Sequence, residues 1–140
     1  TNKNLMLQEF DIVLTASAHS PVYIAKKIDI IYKIPEWLGN NISFVGEVML
    51  IRPNRKKIDP FLLLAYLRLE NTINQFQDLV KGQTAHLHPK DVAKITIPKK
   101  YLLKNSPLNK IAEKIKEETL INDQLEHCIH EQNKLSAQIF

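Results

Sequence analysis

Apolar positions in this chain form two long helical stripes and several short alternating runs. The longest stripe is C-terminal. Ser106 can cap a helix, Pro107 fits its first position, and no Gly or Pro follows to residue 140. The pattern predicts one helix of about 33 residues, on the order of 50 Å long at ~1.5 Å per residue. In one heptad frame, position a holds Ile111, Glu118, Leu125, Gln132 and Ile139, and position d holds Lys114, Ile121, Cys128 and Leu135. Leu108, Ile115 and Ile129 widen the stripe. This is a coiled-coil seam with polar interruptions of the kind that set register or partner. The stripe is longer than the preceding residues can cover, so a second helix is expected on it. Ile111, Ile115, Ile121, Leu125, Cys128, Leu135 and Ile139 are the candidate dimer-interface residues.

The second stripe, Leu62, Tyr66, Leu69, Ile73, Phe76 and Val80, has spacings of 4 and 3. It predicts one amphipathic helix over 60–79, started by Asp59-Pro60 and stopped near Gly82. Strand signals precede it at 12–15, 22–25 and 27–32. The segment 42–52, ISFVGEVMLIR, is apolar on both faces and predicts a central strand. KITIP at 94–98 reads as a short strand closed by proline, and basic loops span 53–57 and 99–105. Strands followed by helices give an α+β class, with a small mixed sheet, a helix packed on it and the long helix after it. The expected division is a globular domain over 1–105 and a spacer or dimerisation helix over 106–140.

Composition adds one asymmetry. Residues 1–105 hold 15 Lys+Arg against 9 Asp+Glu, while 106–140 hold 4 against 6, so the body carries +6 and the helix −2. A basic body favours a polyanion, and an acidic apolar helix favours a protein partner. No apolar run is long enough to span a membrane, and no secretory signal is visible. A single cysteine excludes an internal disulfide and fits a reducing cytoplasm.

No catalytic constellation stands out. Three glycines leave no phosphate-cradling or S-adenosylmethionine loop, and there is no Asn/Asp-Pro-Pro-aromatic motif and no Gly-x-Ser-x-Gly elbow. Cys128 falls within the apolar stripe, where it serves as a small packing residue. His86, His88, His127 and His130 lack zinc-site spacing, so neither a metal nor a cofactor is expected. The candidate binding segment is 81–89. Its Lys81, Gln83, Thr84, His86 and His88 can neutralise phosphate or read base edges, or the segment is a solvated connector. Ser17, His19 and the basic run Arg55, Lys56 and Lys57 are its candidate neighbours on a DNA-binding face.

The order of motifs carries a resemblance. Asp11-Ile12-Val13 is followed by a strand ending Leu50-Ile51-Arg52, then PFLLLAYL at Pro60–Leu67 and Lys81-Gly82-Gln83-Thr84. Leu87-x-x-x-Asp91-Val92-x-x-Ile95-x-Ile97-Pro98 and a helix opening LNKIAEKI complete the series. This order resembles the target recognition domain and spacer helix of type I restriction-modification specificity subunits, over nearly the whole chain. The chain departs from that form at Phe10, where Gly is usual before Asp11. It departs again at Asn109-Lys110, where Gln is usual before the Ile-Ala pair. The family domain also starts several dozen residues earlier, so the resemblance implies a fragment or a shortened relative with one recognition domain and one spacer helix instead of two.

The resemblance implies a non-enzymatic module that reads double-stranded DNA and positions DNA methyltransferase (modification) and restriction subunits. One spacer helix per chain implies homodimerisation through that helix. The alternative is a protein-interaction scaffold that dimerises through the coiled coil without reading sequence, one version of which is fused to a DNA methyltransferase.

Overall fold

The computed structural model describes residues 6–39, 47–80 and 85–139. These residues form a small α+β body followed by one long helix. Strand β1 (Ile12–Thr15) lies between β3 (Ile28–Ile30) and β4 (Val48–Ile51), and both pairings are antiparallel. A second, two-stranded antiparallel sheet joins β2 (Ser17–Ala18) to β5 (Ala85–His86). All strand pairs among the described residues are therefore antiparallel, where the pattern predicted a mixed sheet.

The register explains the patterning. Ile12 faces Ile51 and Leu14 faces Met49, and Ile12, Leu14 and Met49 are buried. Val13 and Leu50 form a pair on the other, half-buried face. Of the predicted central strand 42–52, residues 42–46 lie outside the described residues and 48–51 form β4, which among the described residues pairs with β1 alone, while β1 takes the centre. Apolar residues on both faces arise because the outer face is also partly covered, a state that an edge strand can share with a central one.

The predicted 60–79 helix is two helices, α1 (Pro60–Leu67) and α2 (Glu70–Leu79). Asp59 caps α1, its Oδ1 accepting from the Phe61 N–H at 2.9 Å. The chain breaks at Leu69, which is extended at φ −62° and ψ 137°. Arg68 is held there, its Nε donating to the Ile28 carbonyl at 2.8 Å and its Nη2 to Asp29 at 2.8 Å. The two helices resume in phase, so the 4-3 spacing of the stripe does not reveal the break. Its halves serve different cores. Leu62 and Tyr66 enter a cluster with Phe61, Leu108 and Ala112, while Phe76 and Val80 enter a cluster with Ile12, Leu14 and Leu64. Helix α1 lies between the two clusters and is buried on nearly every side.

Two further expectations change. Residues 22–25 form a 3-10 turn at Pro21–Tyr23, bonded to α2 by Gln77 Nε2, which donates to the Val22 and Ile24 carbonyls. Residues 94–98 form no strand. They follow the one-turn helix α3 (Pro89–Val92), and the Thr96 carbonyl accepts from Tyr66 Oη at 3.0 Å in place of a ladder partner. The alternation of Ile95 and Ile97 still serves burial, because both pack on the second cluster.

Helix α4 (Pro107–Ile139) has 33 residues, and Ser106 caps it by accepting from the Asn109 N–H at 3.2 Å. Leu108 and Ala112 are buried and Ile115 is half-buried, all against the body and α1. The first turns of the helix thus complete the core that the body begins. None of the described helices is long and apolar enough to cross a membrane.

The first strand starts at a buried carboxylate. Asp11 is fully buried, and Arg52 grips it with two hydrogen bonds of 2.8 Å, from Nε to Oδ1 and from Nη2 to Oδ2. The Gln8 N–H donates to Oδ2 at 2.7 Å, and Arg52 Nη2 also donates to the Met6 carbonyl at 2.8 Å. The bond to Asp11 raises the Arg52 pKa above its ordinary value, so the guanidinium stays charged. Removing one partner of a buried pair strands the other charge. Arg52→Met is expected to destabilise the fold by about 3 kcal/mol, the low end for such losses because Arg52 is 32% exposed. Urea denaturation of both proteins measures it, and a change under ~0.5 kcal/mol would contradict the anchoring role.

Candidate nucleic-acid interface

The candidate residues fall at the two ends of one strand line. From Ile12 the chain runs through β1 and β2 to Ala18, changing partners at Ala16. The N–H groups of Ala16 and Ser17 both donate to the Glu47 carbonyl, at 2.9 and 3.2 Å. The Ala16 carbonyl instead accepts from the Leu87 N–H at 2.8 Å, and Ser17 then pairs with His86. Two residues facing one carbonyl form a bulge, which bends the strand and ends its pairing with β4.

At this far end, a hydrogen bond of 2.7 Å joins Ser17 Oγ and His86 Nδ1. His19 is exposed just beyond β2. His88 is exposed just beyond β5, at the start of α3, and its N–H donates to Asp91 Oδ2 at 3.4 Å. The structure thus brings Ser17 and His86 into contact and sets His19 and His88 close to them in the chain. Lys81, Gln83 and Thr84 lie outside the described residues. The residues on either side of that segment, Val80 and Ala85, are both buried in the first cluster.

Arg55, Lys56 and Lys57 are elsewhere. Ile51 pairs with Ile12, so residues 52–57 leave the sheet at the Asp11 end. Six residue steps lead along the chain from Asp11 to Ser17, a contour of about 20 Å at ~3.3 Å per residue. The basic loop therefore does not join the Ser17–His86 end. Its Arg55 guanidinium lies 3.9 Å from the centre of the Phe10 ring. Phe10, Tyr32 and Phe61 form a mutually packed trio with ring centres 5.8 to 6.4 Å apart. These residues, with Lys56, Lys57 and Lys116 of α4, line an open concavity of about 620 Å³.

Sequence reasoning missed Phe10, Tyr32 and Lys116 as parts of this surface. Lys116 follows the buried Ala112 by one turn, a signal that it flanks the packed face of α4. Phe10 carries no such signal; its backbone is left-handed at φ 71°, a conformation that L side chains rarely adopt.

The candidate interface residues on α4 divide between two faces. Ile115, expected at a dimer seam, is half-buried and packs against both clusters of the body. Ile111, Ile121, Leu125, Ile129 and Leu135 are exposed, as is Cys128. At about 100° per residue, Ile121, Leu125, Cys128 and Leu135 lie roughly 105–175° around the helix from the centre of the Leu108, Ala112 and Ile115 face, and Ile111 and Ile129 flank that face at roughly 65°. Beyond the body, α4 and residues 33–36 bound a second concavity of about 910 Å³, where Lys33 Nζ lies 3.8 Å from Asp123. Among the described residues no group of three or more His, Cys, Asp or Glu side chains is placed to hold a metal ion.

No protein-family model matches the chain, and no curated protein matches it.

The strained residue provides a direct test of what holds the basic loop. Phe10→Gly relieves a left-handed backbone worth ~1–2 kcal/mol, but adds unfolded-chain freedom worth ~0.5–1 kcal/mol. It also removes two edge-on ring contacts of ~0.5–1.5 kcal/mol each, the Arg55 stacking and part of a buried ring. The contacts outweigh the strain, and a net loss of about 2 kcal/mol is expected on these terms. Thermal unfolding checks it, and a stabilised Phe10→Gly protein would show that strain dominates.

Proposed function

We propose that this chain is a non-catalytic, sequence-specific DNA-recognition module of a restriction-modification complex, one that pairs with a second copy through α4. The observation that carries the reading is the β2–β5 pairing. It places Ser17, His86 and the chain leaving the 81–84 segment on one edge of a body whose charge is +6. Lys81 supplies phosphate neutralisation, and Gln83 supplies paired donor and acceptor groups matched to an adenine edge in the major groove. The left-handed backbone at Phe10 adds support, since it is the conformation that a glycine at that position would take with ease. DNA methyltransferase and restriction subunits are the partners that the resemblance implies, and they would supply the chemistry.

Lys81→Ala is expected to weaken binding to every DNA sequence and to lower the salt slope by about one unit. Gln83→Ala is expected to relax base preference by roughly 1–3 kcal/mol at one position. Binding selections from a random duplex pool at several salt concentrations separate the two effects. Parent-like behaviour of both variants would remove the 81–84 segment from the site.

A scaffold without DNA reading is the second interpretation, favoured by the exposed face of α4. Ile121, Leu125 and Leu135 are 62, 57 and 60% exposed, on a different face from the one packed on the body. Burying each would contribute ~1.5–3 kcal/mol, enough together to drive pairing. Pairing across a two-fold axis with antiparallel helices would hold two bodies apart and match a palindromic, split DNA site. Light scattering at tens of micromolar is expected to give a dimer for the parent and a monomer for Leu125→Glu. A monomeric parent would transfer the α4 face to a different protein.

A further inference from the structure

We infer that the concavity lined by Arg55, Lys56, Lys57 and Lys116 is a phosphate-binding pocket, separate from the Ser17–His86 end of the body. Four cations from two parts of the chain converge on about 620 Å³ of open space. Residues 55–57 leave the sheet at the Asp11 end, and Lys116 comes across from α4. None of the four forms an ion pair with a described carboxylate, whereas Arg52, Arg68, Lys33, Lys94 and Lys134 all do. Four cationic groups without a described carboxylate partner are thus gathered in one place. Asp59 also lines the pocket, but its Oδ1 accepts from the Phe61 N–H at 2.9 Å, and the net local charge remains positive.

The chemistry of the lining selects the ligand. The Arg55 guanidinium carbon lies 3.9 Å from the centre of the Phe10 ring, so the ring holds the head group in place by a cation–π contact that uses none of its N–H donors. A planar fork meets two oxygens of a phosphate, while three flexible ammonium groups supply point charges around it. The loop itself is stiffened at Asn54. The Asn54 carbonyl accepts from the Lys57 and Ile58 N–H groups at 2.9 and 3.0 Å, and its Oδ1 accepts from the Lys56 N–H at 3.2 Å. The left-handed Phe10 gives the pocket its aromatic wall. Strained backbone of this kind clusters at functional sites.

Two sources can present this phosphate chemistry, the backbone of a nucleic acid or a free phosphate ester. The backbone source rests on the DNA-recognition reading; the pocket itself does not. On that reading the pocket sits about 20 Å along the strand line from Ser17, so it would grip a stretch of backbone remote from the base-reading edge.

The first arm of the test uses pyrophosphate and the full chain. Nuclear magnetic resonance is expected to show saturable shifts of the Arg55 side-chain N–H and the Phe10 ring. Those shifts should vanish in a Lys57→Gln, Lys116→Gln double variant and persist in Lys100→Gln, an exposed lysine outside the pocket. All the replaced side chains are exposed, so folding should be kept, and circular dichroism checks it. Absent or unsaturable shifts in the parent, or shifts retained by the double variant, would overturn the pocket. The second arm measures duplex binding against salt. A slope lowered by about two units in the double variant, with base preference unchanged, assigns the pocket to backbone phosphates. An unchanged slope with pyrophosphate binding intact overturns the backbone source and leaves a free phosphate ester as the ligand. A parent that binds no duplex sinks the DNA reading, and the pyrophosphate arm alone then decides the pocket.

Discussion

The buried carboxylate of Asp11 constrains everything around it. An ionised group inside a protein must be paired and hydrogen-bonded, and Asp11 meets that demand with Arg52 and the Gln8 N–H. Those bonds fix three segments at once: residues 6–11, the start of β1 and the end of β4. Once β1 begins at Ile12, the period-two alternation sends Ile12 and Leu14 inward and sets the register of both neighbouring strands. A slip of one residue would bury the outward set and separate Arg52 from its partner. The ion pair is thus better described as a register pin than as a source of net stability, since much of its attraction offsets desolvation.

Register at one end determines placement at the other. Because β1 runs into β2 through the Ala16 bulge, the Asp11 anchor also sets where Ser17 meets His86. The same line separates the two groups of polar residues that composition alone grouped on one face. Nothing in the local sequence of residues 53–57 says which end of the sheet they leave. That depends on β4 running antiparallel to β1, a non-local pairing. The convergence of Ser17 with His86, 69 residues apart, is equally non-local, yet the sequence had placed both in one candidate group.

What was legible follows from the range of the interactions. The strand at Ile12–Thr15, the Asp59-Pro60 and Ser106-Pro107 helix starts, and the single helix Pro107–Ile139 are written in local patterning and capping, and they appear where that patterning puts them. The break at Leu69 was not legible, because an amphipathic stripe continues in phase through a kink that Arg68 holds by tertiary bonds. The 94–98 alternation misled for a similar reason: Ile95 and Ile97 obey burial, but the Thr96 carbonyl is taken by a tyrosine side chain from α1. Among the described residues β4 pairs with β1 alone, a placement that residue order does not carry.

Helix α4 shows how one periodicity can hide two purposes. A heptad frame treats all its apolar residues as one seam, but a straight helix gains on a seven-residue repeat by about 20° per heptad. Over the first turns the packed residues are Leu108, Ala112 and Ile115, on the face that α1 demands. Past Asp123, which pairs with Lys33, residues 33–36 face the helix across the second concavity, and Leu125, Ile129 and Leu135 are exposed. Had one face served both roles, pairing with a second helix would have to compete with the body for Leu108 and Ile115. Their separation lets the body fold around the start of α4 while the exposed stripe stays available along its length. Lys116 lies off that stripe, so a partner helix and a phosphate in the basic pocket would occupy different sides of α4 at the same time.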